Sequence, residues 1–552
     1  MRPEREYRMI RINNIKLPVG YSDRDIETAI QKNLRISYVP SYKIFKLSLD
    51  DRKRNQIKYI ASVDVEINDE VRIVKKIKNN NIVIVDQVSY KFPEEGAERM
   101  DYRPVVIGTG PAGLFTALYL ARAGFKPVVF ERGMDVDRRK ANIEKYWNGD
   151  IPLNINCNVQ FGEGGAGTFS DGKLNTVIKD GSGRRTEVLR TFVKYGADNS
   201  ITYINKPHIG TDVLSDIVKR IREDIISLGG SVEFDSLFED FDRVDDRTVE
   251  VSIRNLSDNT VSRYKTNALV LALGHSARDT VKMLYDNGIP MQQKPFAMGL
   301  RIEHKRQDID VMKYGDDPVY EEMLPAADYK MTHQASNGRA VYSFCMCPGG
   351  YVVNASSESG EMCVNGMSYS GRNGENSNSA IVVNVTPDDF GSDHPLAGME
   401  YQRKWEKAAF DAGNGAVPVQ LFGDYRTDKA TEKLGSVVPQ IKGKYHLTSL
   451  KCCLPEYIKD AIIEGVLSFD KRMPGYSSDD AVLSGIEART SSPVRMIREE
   501  NMCCEHTCIY PCGEGAGYAG GITSAAVDGI KVAEAIASRY SSRYIEQAGC
   551  VL

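Results

Sequence analysis

The chain has 552 residues, too many for one hydrophobic core, so several domains are expected. With 41% hydrophobic residues, 26% charged residues and a net charge of −4, it has the make-up of an ordinary globular protein, and no apolar run approaches the ~20 residues that span a bilayer. Eleven scattered cysteines argue against a disulfide framework and for a reducing cytoplasm, and the charged start MRPEREYRMIRINN has no apolar core of a secretion signal.

Residues 1–98 read as a small α+β module. Residues 9–17 are a strand, Ser22 opens a helix with Ile26, Ile30 and Leu34 on one face, and 42–49, 57–67 and 82–85 are further strands. Residues 1–100 hold 20 Lys and Arg against 15 Asp and Glu in a chain that is acidic overall. That bias suits an anionic partner such as RNA, or is a solvated charged face; Arg52-Lys53-Arg54 is its densest cluster. Residues 93–96 read as the linker out.

An apolar strand at 105–107 then runs into Gly108-Thr109-Gly110-Pro111-Ala112-Gly113. A helix with Leu114, Ala117, Leu118 and Ala121 on one stripe follows, Gly124 ends it, and a second apolar strand, 128–130, ends in Glu131-Arg132. Gly108 permits the turn, Gly110 lets a pyrophosphate approach the backbone, and Gly113 lets the helix sit close to the strand. The helix N-terminus offers unpaired N–H groups to phosphates. Glu131 lies 18 residues past Gly113, near the ~20 expected of an acid that holds a ribose. Strand, helix, second strand and acid together point to dinucleotide binding.

The stretch Gly162-Glu163-Gly164-Gly165-Ala166-Gly167 repeats the same spacing, but Ser170-Asp171-Gly172 behind it is a turn and not a helix. It reads as bare backbone running against a flat or phosphorylated ligand, with Lys173 either balancing pyrophosphate charge or lying at the surface. A helix begins at Thr211 and stops at Gly229-Gly230. Strands at 232–234, 248–254 and 262–265 form a meander, and 269–273 is an apolar strand ending in Gly274-His275. Residues 291–480 read as a β-rich substrate domain, with strands near 342–347, 351–353 and 381–385, loops at 365–367 and 376–380, and helices near 397–412 and 455–470. The C-terminal part returns to the nucleotide domain, where Gly513-Glu514-Gly515 through Gly521-Ile522 open an apolar helix. The division is therefore 1–98, 99–290, 291–480 and 481–552.

The two glycine-rich elements at opposite ends of the chain resemble an FAD-binding domain of the glutathione-reductase-like type. More narrowly, the chain resembles the bacterial family of uncharacterised FAD-dependent dehydrogenases with their own C-terminal domain. Gly108 to Gly113, Gly162 to Leu174, Lys206 to Asp212, Ala272 to Asp279, Lys294 to His304, Tyr342 to Gly350, Gly485 to Arg495 and Tyr510 to Ile522 carry the resemblance. It implies an α/β fold: a Rossmann-like FAD-binding domain, an inserted β-rich domain and the N-terminal module. It also implies an FAD-dependent oxidoreductase with hydride transfer through flavin N5. Gly108 to Gly113, Glu131, Arg132, Gly164 to Gly167, Lys173, Gly274, Gly513, Glu514, Gly515, Gly521 and Ile522 are the expected cofactor contacts, with Glu131 on the adenosine ribose and Glu514 near the ribityl hydroxyls.

No second strand–GxGxxG–helix unit exists, so either NAD(P)H docks transiently or a small organic substrate reduces the flavin directly. A tRNA-modifying flavoenzyme using the basic module, and a non-enzymatic FAD-binding protein, are the alternatives. Cys345-x-Cys347 is either a redox pair or two strand cysteines, since one residue and not two separates them. His275 sits past a strand tip, as a general acid or base or as a structural residue. Arg489 is placed to line a substrate pocket, and Arg301 and Glu303 share a strand face and are placed to pair. Cys503, Cys504, Cys508 and Cys512, with His506 among them, lack the spacing of a metal knuckle, so no metal is expected.

Overall fold

The computed structural model describes residues 8–87, 89–176, 178, 181–505 and 507–544; His506 lies outside them. At the N-terminus the strands Arg8–Leu17, Tyr42–Asp50, Lys58–Val65 and Ile82–Asp86 form one antiparallel sheet in the order second, third, first, fourth. With the helices Asp23–Leu34 and Glu70–Ile77 this is the ferredoxin-like β-α-β-β-α-β arrangement. Ile10, Ile12, Ile26, Ile30, Val63 and Val65 fill the space between sheet and helices. The helix Glu70–Ile77 was not legible because none of its residues is fully buried. The basic cluster is partly tied down: Arg52 pairs with Asp50, and Arg54 donates to the carbonyl of Met312 in the inserted domain.

The second unit is built on a five-stranded parallel sheet in the order Ile509–Pro511, Leu269–Leu271, Val105–Ile107, Val128–Phe130, Ser231–Glu233. The three central strands, Leu269–Leu271, Val105–Ile107 and Val128–Phe130, are apolar along their whole length because helices and the meander Ser236–Asp245, Thr248–Asn255, Val261–Thr266 cover both faces. From Val105–Ile107 the chain winds outward in one direction, then crosses back to Leu269–Leu271 on the other side. The order therefore reverses beside Val105–Ile107, and a crevice opens there at the carboxyl ends of the strands. The helices Pro111–Arg122 and Ile522–Arg539 pack so closely that a Cβ on Gly529 would lie 2.3 Å from the Ala112 carbonyl oxygen.

The inserted domain holds a seven-stranded sheet in the order Thr332–Gln334, Ala340–Cys347, Asn376–Val385, Phe296–Lys305, Val482–Glu487, Val417–Leu421, Tyr445–Leu447. One face packs Met298, Leu300, Ile302, Ile381 and Val383 against Ile458, Ile462, Val466 and Phe469 of the helix Glu456–Asp470. Two stretches expected as loops are strands. Val364–Met367 pairs with Tyr351–Asn354, and Asn376–Val385 pairs along its whole length with Phe296–Lys305. Their Asn, Ser and Gly content reads as turn chemistry, but tertiary contacts satisfy the buried polar side chains: Asn376 donates to Glu303 Oε2 and Ser379 to the Phe344 carbonyl. The sheet continues past residue 480 through Val482–Glu487, and Val494–Met496 then pairs with Met291–Gln293.

A buried ion network stitches the two larger units together. Arg278, at the start of the helix Arg278–Asp286, donates to Glu406 at 2.7 and 2.9 Å and to Glu358 at 2.6 Å. Arg489, where the chain leaves the inserted sheet, forks onto the same Glu406 at 2.6 and 2.9 Å. The two guanidiniums hold the Glu406 carboxyl far below the ordinary carboxylate range, against the burial that pushes it up. The Glu406→Ala variant leaves two buried cations facing each other, and a loss of ~3–5 kcal/mol in denaturant unfolding is expected. Lys282→Ala, which breaks an exposed pair with Asp286, serves as the control and changes stability by less than ~1 kcal/mol.

Candidate functional site

At the crevice, three glycine-rich loops from distant parts of the chain touch one another. Gly110 caps the helix Pro111–Arg122, whose first residue is Pro111, with Ala112 and Gly113 behind it. Gly113 is obligatory there, since a Cβ would fall 1.9 Å from the Gly108 carbonyl oxygen. The second loop lies directly against the first: a Cβ on Gly165 would sit 3.1 Å from Gly110 Cα, and Gly164 donates to the Thr109 carbonyl at 3.0 Å. Gly165, Ala166 and Gly167 begin a 3₁₀ turn, Gly165–Phe169, as the absence of a helical pattern required. The third loop closes on both. A Cβ on Gly513 would meet Ala112 Cβ, one on Gly167 would meet Ile522, and one on Gly515 would lie 2.3 Å from the Gly274 oxygen.

Two buried side chains hold these loops. Glu131, at the tip of Val128–Phe130, accepts from the Thr109 N–H at 2.9 Å, the Thr109 hydroxyl at 2.7 Å, and the Gly133 and Gly162 N–H groups at 3.0 Å each. A carboxylate has about four lone-pair sites, so all are in use. Arg132 beside it forks onto Asp279, reaches Asn156 and lies over the Phe161 ring. The second clasp is Arg139, which the sequence reading missed. Its guanidinium is fully buried and donates to the carbonyls of Asn158, Val159, Gly162, Glu163 and Gly165. The signal was a charged residue on the apolar stripe Val136, Arg139, Ile143, Trp147 of the helix Val136–Asn148.

Lys173 sits behind the second loop, 3.6 Å from Asp171, which Arg372 of the inserted domain also holds. On the other side His275 Nδ1 lies 3.8 Å from Glu514 Oε1. Burial, with Arg489 and Arg278 adding, pushes His275 down to about 3, so the ring is neutral, and its Nε2 has no partner among the described residues. Burial pushes Glu514 up to about 7. Lys294 faces Glu514 across the gap, its amine held below its ordinary range by burial and then by Arg495. No role was assigned to it from sequence.

Arg489 and Arg301 are both engaged within the protein. Arg489 is the partner of Glu406 described above. Arg301 pairs with Glu487 at 2.6 Å and not with Glu303, its neighbour two residues on. Cys345 and Cys347 lie on the strand Ala340–Cys347 beside Arg301. Cys503, Cys504, Cys508 and Cys512 are buried in apolar surroundings. The one cluster of metal-type side chains among the described residues is Glu358, Glu361 and Glu406, whose charges the arginines already answer.

The site suits an extended, phosphate-bearing group. Two helix N-termini, at Gly110 and Gly521, open onto it. Cβ atoms placed on Gly274, Gly520 and Gly521 would meet nothing within 4 Å, so these backbones border open space.

Residues 295–490 match the family described as FAD-dependent protein, C-terminal domain-like, and residues 9–66 match a domain of unknown function. The chain is 47% identical over 537 residues to an uncharacterized protein of Clostridium beijerinckii, across 96% of this chain and 99% of that one. Among solved structures, the glycerol-3-phosphate dehydrogenase of Bacillus halodurans complexed with FAD aligns over 79% of this chain and 64% of its own, at 10% identity and a TM-score of 0.36. The quinol fumarate reductase FrdA of E. coli aligns over 83% and 72%, at 10% identity and 0.36. CtdE in complex with FAD aligns over 82% and 88%, at 11% identity and 0.31. No described helix is long and apolar enough to cross a membrane.

Two outcomes are expected. Glu131→Ala strands buried donors on Thr109, Gly133 and Gly162, so a stability loss of ~1–3 kcal/mol and a drop in bound FAD are predicted from unfolding curves and cofactor content. Glu514 carries a raised carboxyl, so its contribution to the cofactor-free chain is full below the ordinary value of 4.5 and fades as pH rises through about 7. Glu514→Gln therefore gains stability relative to the unmodified chain between those values, and an equal offset at pH 5 and pH 8 would count against the assignment.

Proposed function

The chain belongs to the family of FAD-dependent proteins that share this C-terminal domain, and from that premise we propose that it is an oxidoreductase passing hydride between FAD and an organic substrate or a nicotinamide nucleotide. The observation that carries the reading is the convergence of Gly108–Gly113, Gly162–Gly167 and Gly513–Ile522 on the point where the strand order of the parallel sheet reverses.

Bound FAD supplies two-electron chemistry at its flavin N5. The chain's residues supply position and charge. The backbone N–H groups of the helix Pro111–Arg122 face the pyrophosphate, and Lys173 adds positive charge beyond the glycine loop. Glu131 marks the adenosine end; to reach it, a ribose hydroxyl exchanges with one of the loop amides now on Oε1, those of Gly133 and Gly162. Glu514 lies at the ribityl end, where a carboxyl near 7 is able to accept or donate a hydrogen bond to a hydroxyl. The N-terminus of the helix Ile522–Arg539 would offer its partial positive charge to the ring end of the group. His275, kept neutral, offers Nε2 as a hydrogen-bond partner without bringing a competing cation. Lys294, which senses Glu514, then borders the side left for a substrate.

The test begins with colour. The purified chain should be yellow, with about one FAD per chain after heat release, and FAD but not FMN should restore it after stripping, because the site spans the adenosine half. Anaerobic addition of NADH, NADPH and a panel of small organic reductants should bleach the flavin with at least one of them. A colourless chain that takes up no FAD would overturn the proposal. A yellow chain that no reductant bleaches would leave cofactor binding standing and remove the oxidoreductase.

A further inference from the structure

The strand Ala340–Cys347 is irregular where its two cysteines lie. Its pairing with Asn376–Val385 slips between Phe344 and Cys347, and Cys345 sits in the left-handed region at φ 44°. A non-glycine residue held there is uncommon and marks a bulge. In a regular strand, residues two apart share a face with Cα atoms about 6.6–6.8 Å apart. That is the outer limit of what a disulfide bridges, about 4.4–6.8 Å. Met346 points the other way, into the hydrophobic core. The Cys347 thiol already turns back on Cys345, donating to its carbonyl at 3.3 Å.

The surroundings are built for a thiolate. Arg301, fully buried and fixed by Glu487 and Asn378, donates to the Cys345 carbonyl at 3.2 Å and lies 3.9 Å from Cys347 Sγ. Gly366 makes room for this guanidinium, since a Cβ there would fall 2.2 Å from its Nη1. The turn after Cys347 packs on Arg372, which grips Asp171 beside Lys173 of the cofactor loop. The hydrogen bond from Cys347, with Arg301 and Lys173 adding, draws the Cys345 thiol well below its ordinary range, and the Cys347 thiol rises in return. Cys345 is half-buried, whereas Cys347 is buried.

We propose that Cys345 and Cys347 are a redox-active pair that exchanges two electrons with the FAD of this site. The exchange rests on the FAD reading above. From the Cys345 thiolate and the Cys347 thiol, one S–H bond breaks and one S–S bond forms; two electrons and the Cys347 proton pass to FAD, giving FADH⁻. The reverse direction regenerates the dithiol from reduced flavin. Glu487, which burial holds near 7 despite Arg301, stands beside the pair as a proton acceptor. The pair is thus a second two-electron store next to the flavin.

Anaerobic titration of the oxidised holoprotein with dithionite tests this. The unmodified chain should consume about two equivalents per FAD before complete reduction, and Cys345→Ser and Cys347→Ser about one each, with FAD content retained. Independently of any variant, protein treated with diamide and then unfolded should yield the tryptic peptide 340–372 with a single maleimide tag, on Cys363, and dithiothreitol should raise this to three tags. A yellow protein that reduces fully at one equivalent, with both thiols open to maleimide after diamide, overturns the thiol pair and leaves the FAD reading intact. A colourless protein overturns the FAD reading, and the exchange with it.

Discussion

The arrangement depends on one buried guanidinium. Arg139 holds five backbone carbonyls of residues 158–165. Glycine-dense backbone loses more entropy on ordering than any other sequence and has no side chains to pack. The loop is ordered because Arg139 offers a donor at each nitrogen and Glu131 accepts the Gly162 N–H from the opposite side. Burial lowers Arg139 to about 10, which still leaves it charged at neutral pH. An arginine caged by carbonyl dipoles needs no carboxylate partner, so the cation adds order beside the phosphate-binding helix without neutralising it.

This explains why the two glycine-rich motifs near the front of the chain act as one element. Read by spacing, Gly108–Gly113 and Gly162–Gly167 look like alternatives. In the folded chain the second lies on the first, and Gly164 and Gly165, both at positive φ, would bring a Cβ to 2.0 Å from Thr168 Oγ1 and 3.1 Å from Gly110 Cα. The third motif, Gly513–Ile522, completes the wall. Its helix packs along Pro111–Arg122 through Gly529, so the cofactor crevice and the helix pair behind it are specified by the same small residues.

Much of this was legible in the sequence because it lies in local patterns. The strand–glycine–helix–strand–acid unit, the apolar strand running into Gly274 and the final helix each announce themselves within twenty residues or so. The inserted domain was the harder part for a physical reason. Its strand Asn376–Val385 begins with Asn-Ser-Asn-Ser, and such residues favour turns unless partners elsewhere satisfy them. Here Glu303, Arg301 and the Phe344 carbonyl do so, and all of them are far away in sequence. Long-range pairing choices fail for the same reason. Arg301 and Glu303 share a face, yet Glu487 is the better partner, because it approaches from the neighbouring strand at a position no spacing rule reveals. Arg489 reads as a substrate contact because a guanidinium suits carboxylates and phosphates, and it is closed because Glu406 comes from a helix 83 residues earlier.

The buried carboxyls then divide into two kinds, and the division separates the framework from the chemistry. Glu406 is held ionised by two arginines, and Glu131 accepts four hydrogen bonds; both hold elements in place. Glu303, Glu487 and Glu514 are held near 7, where a small change in local charge moves a proton. These three come from the strand Phe296–Lys305, the strand Val482–Glu487 and the third glycine loop, and Glu487 and Glu514 both sense Cys345 electrostatically. Glu487 and Glu514 are thus the raised carboxyls that lie towards Cys345. A reaction that moves electrons and protons together would need groups of the second kind at its reacting end, and Glu487 and Glu514 are of that kind.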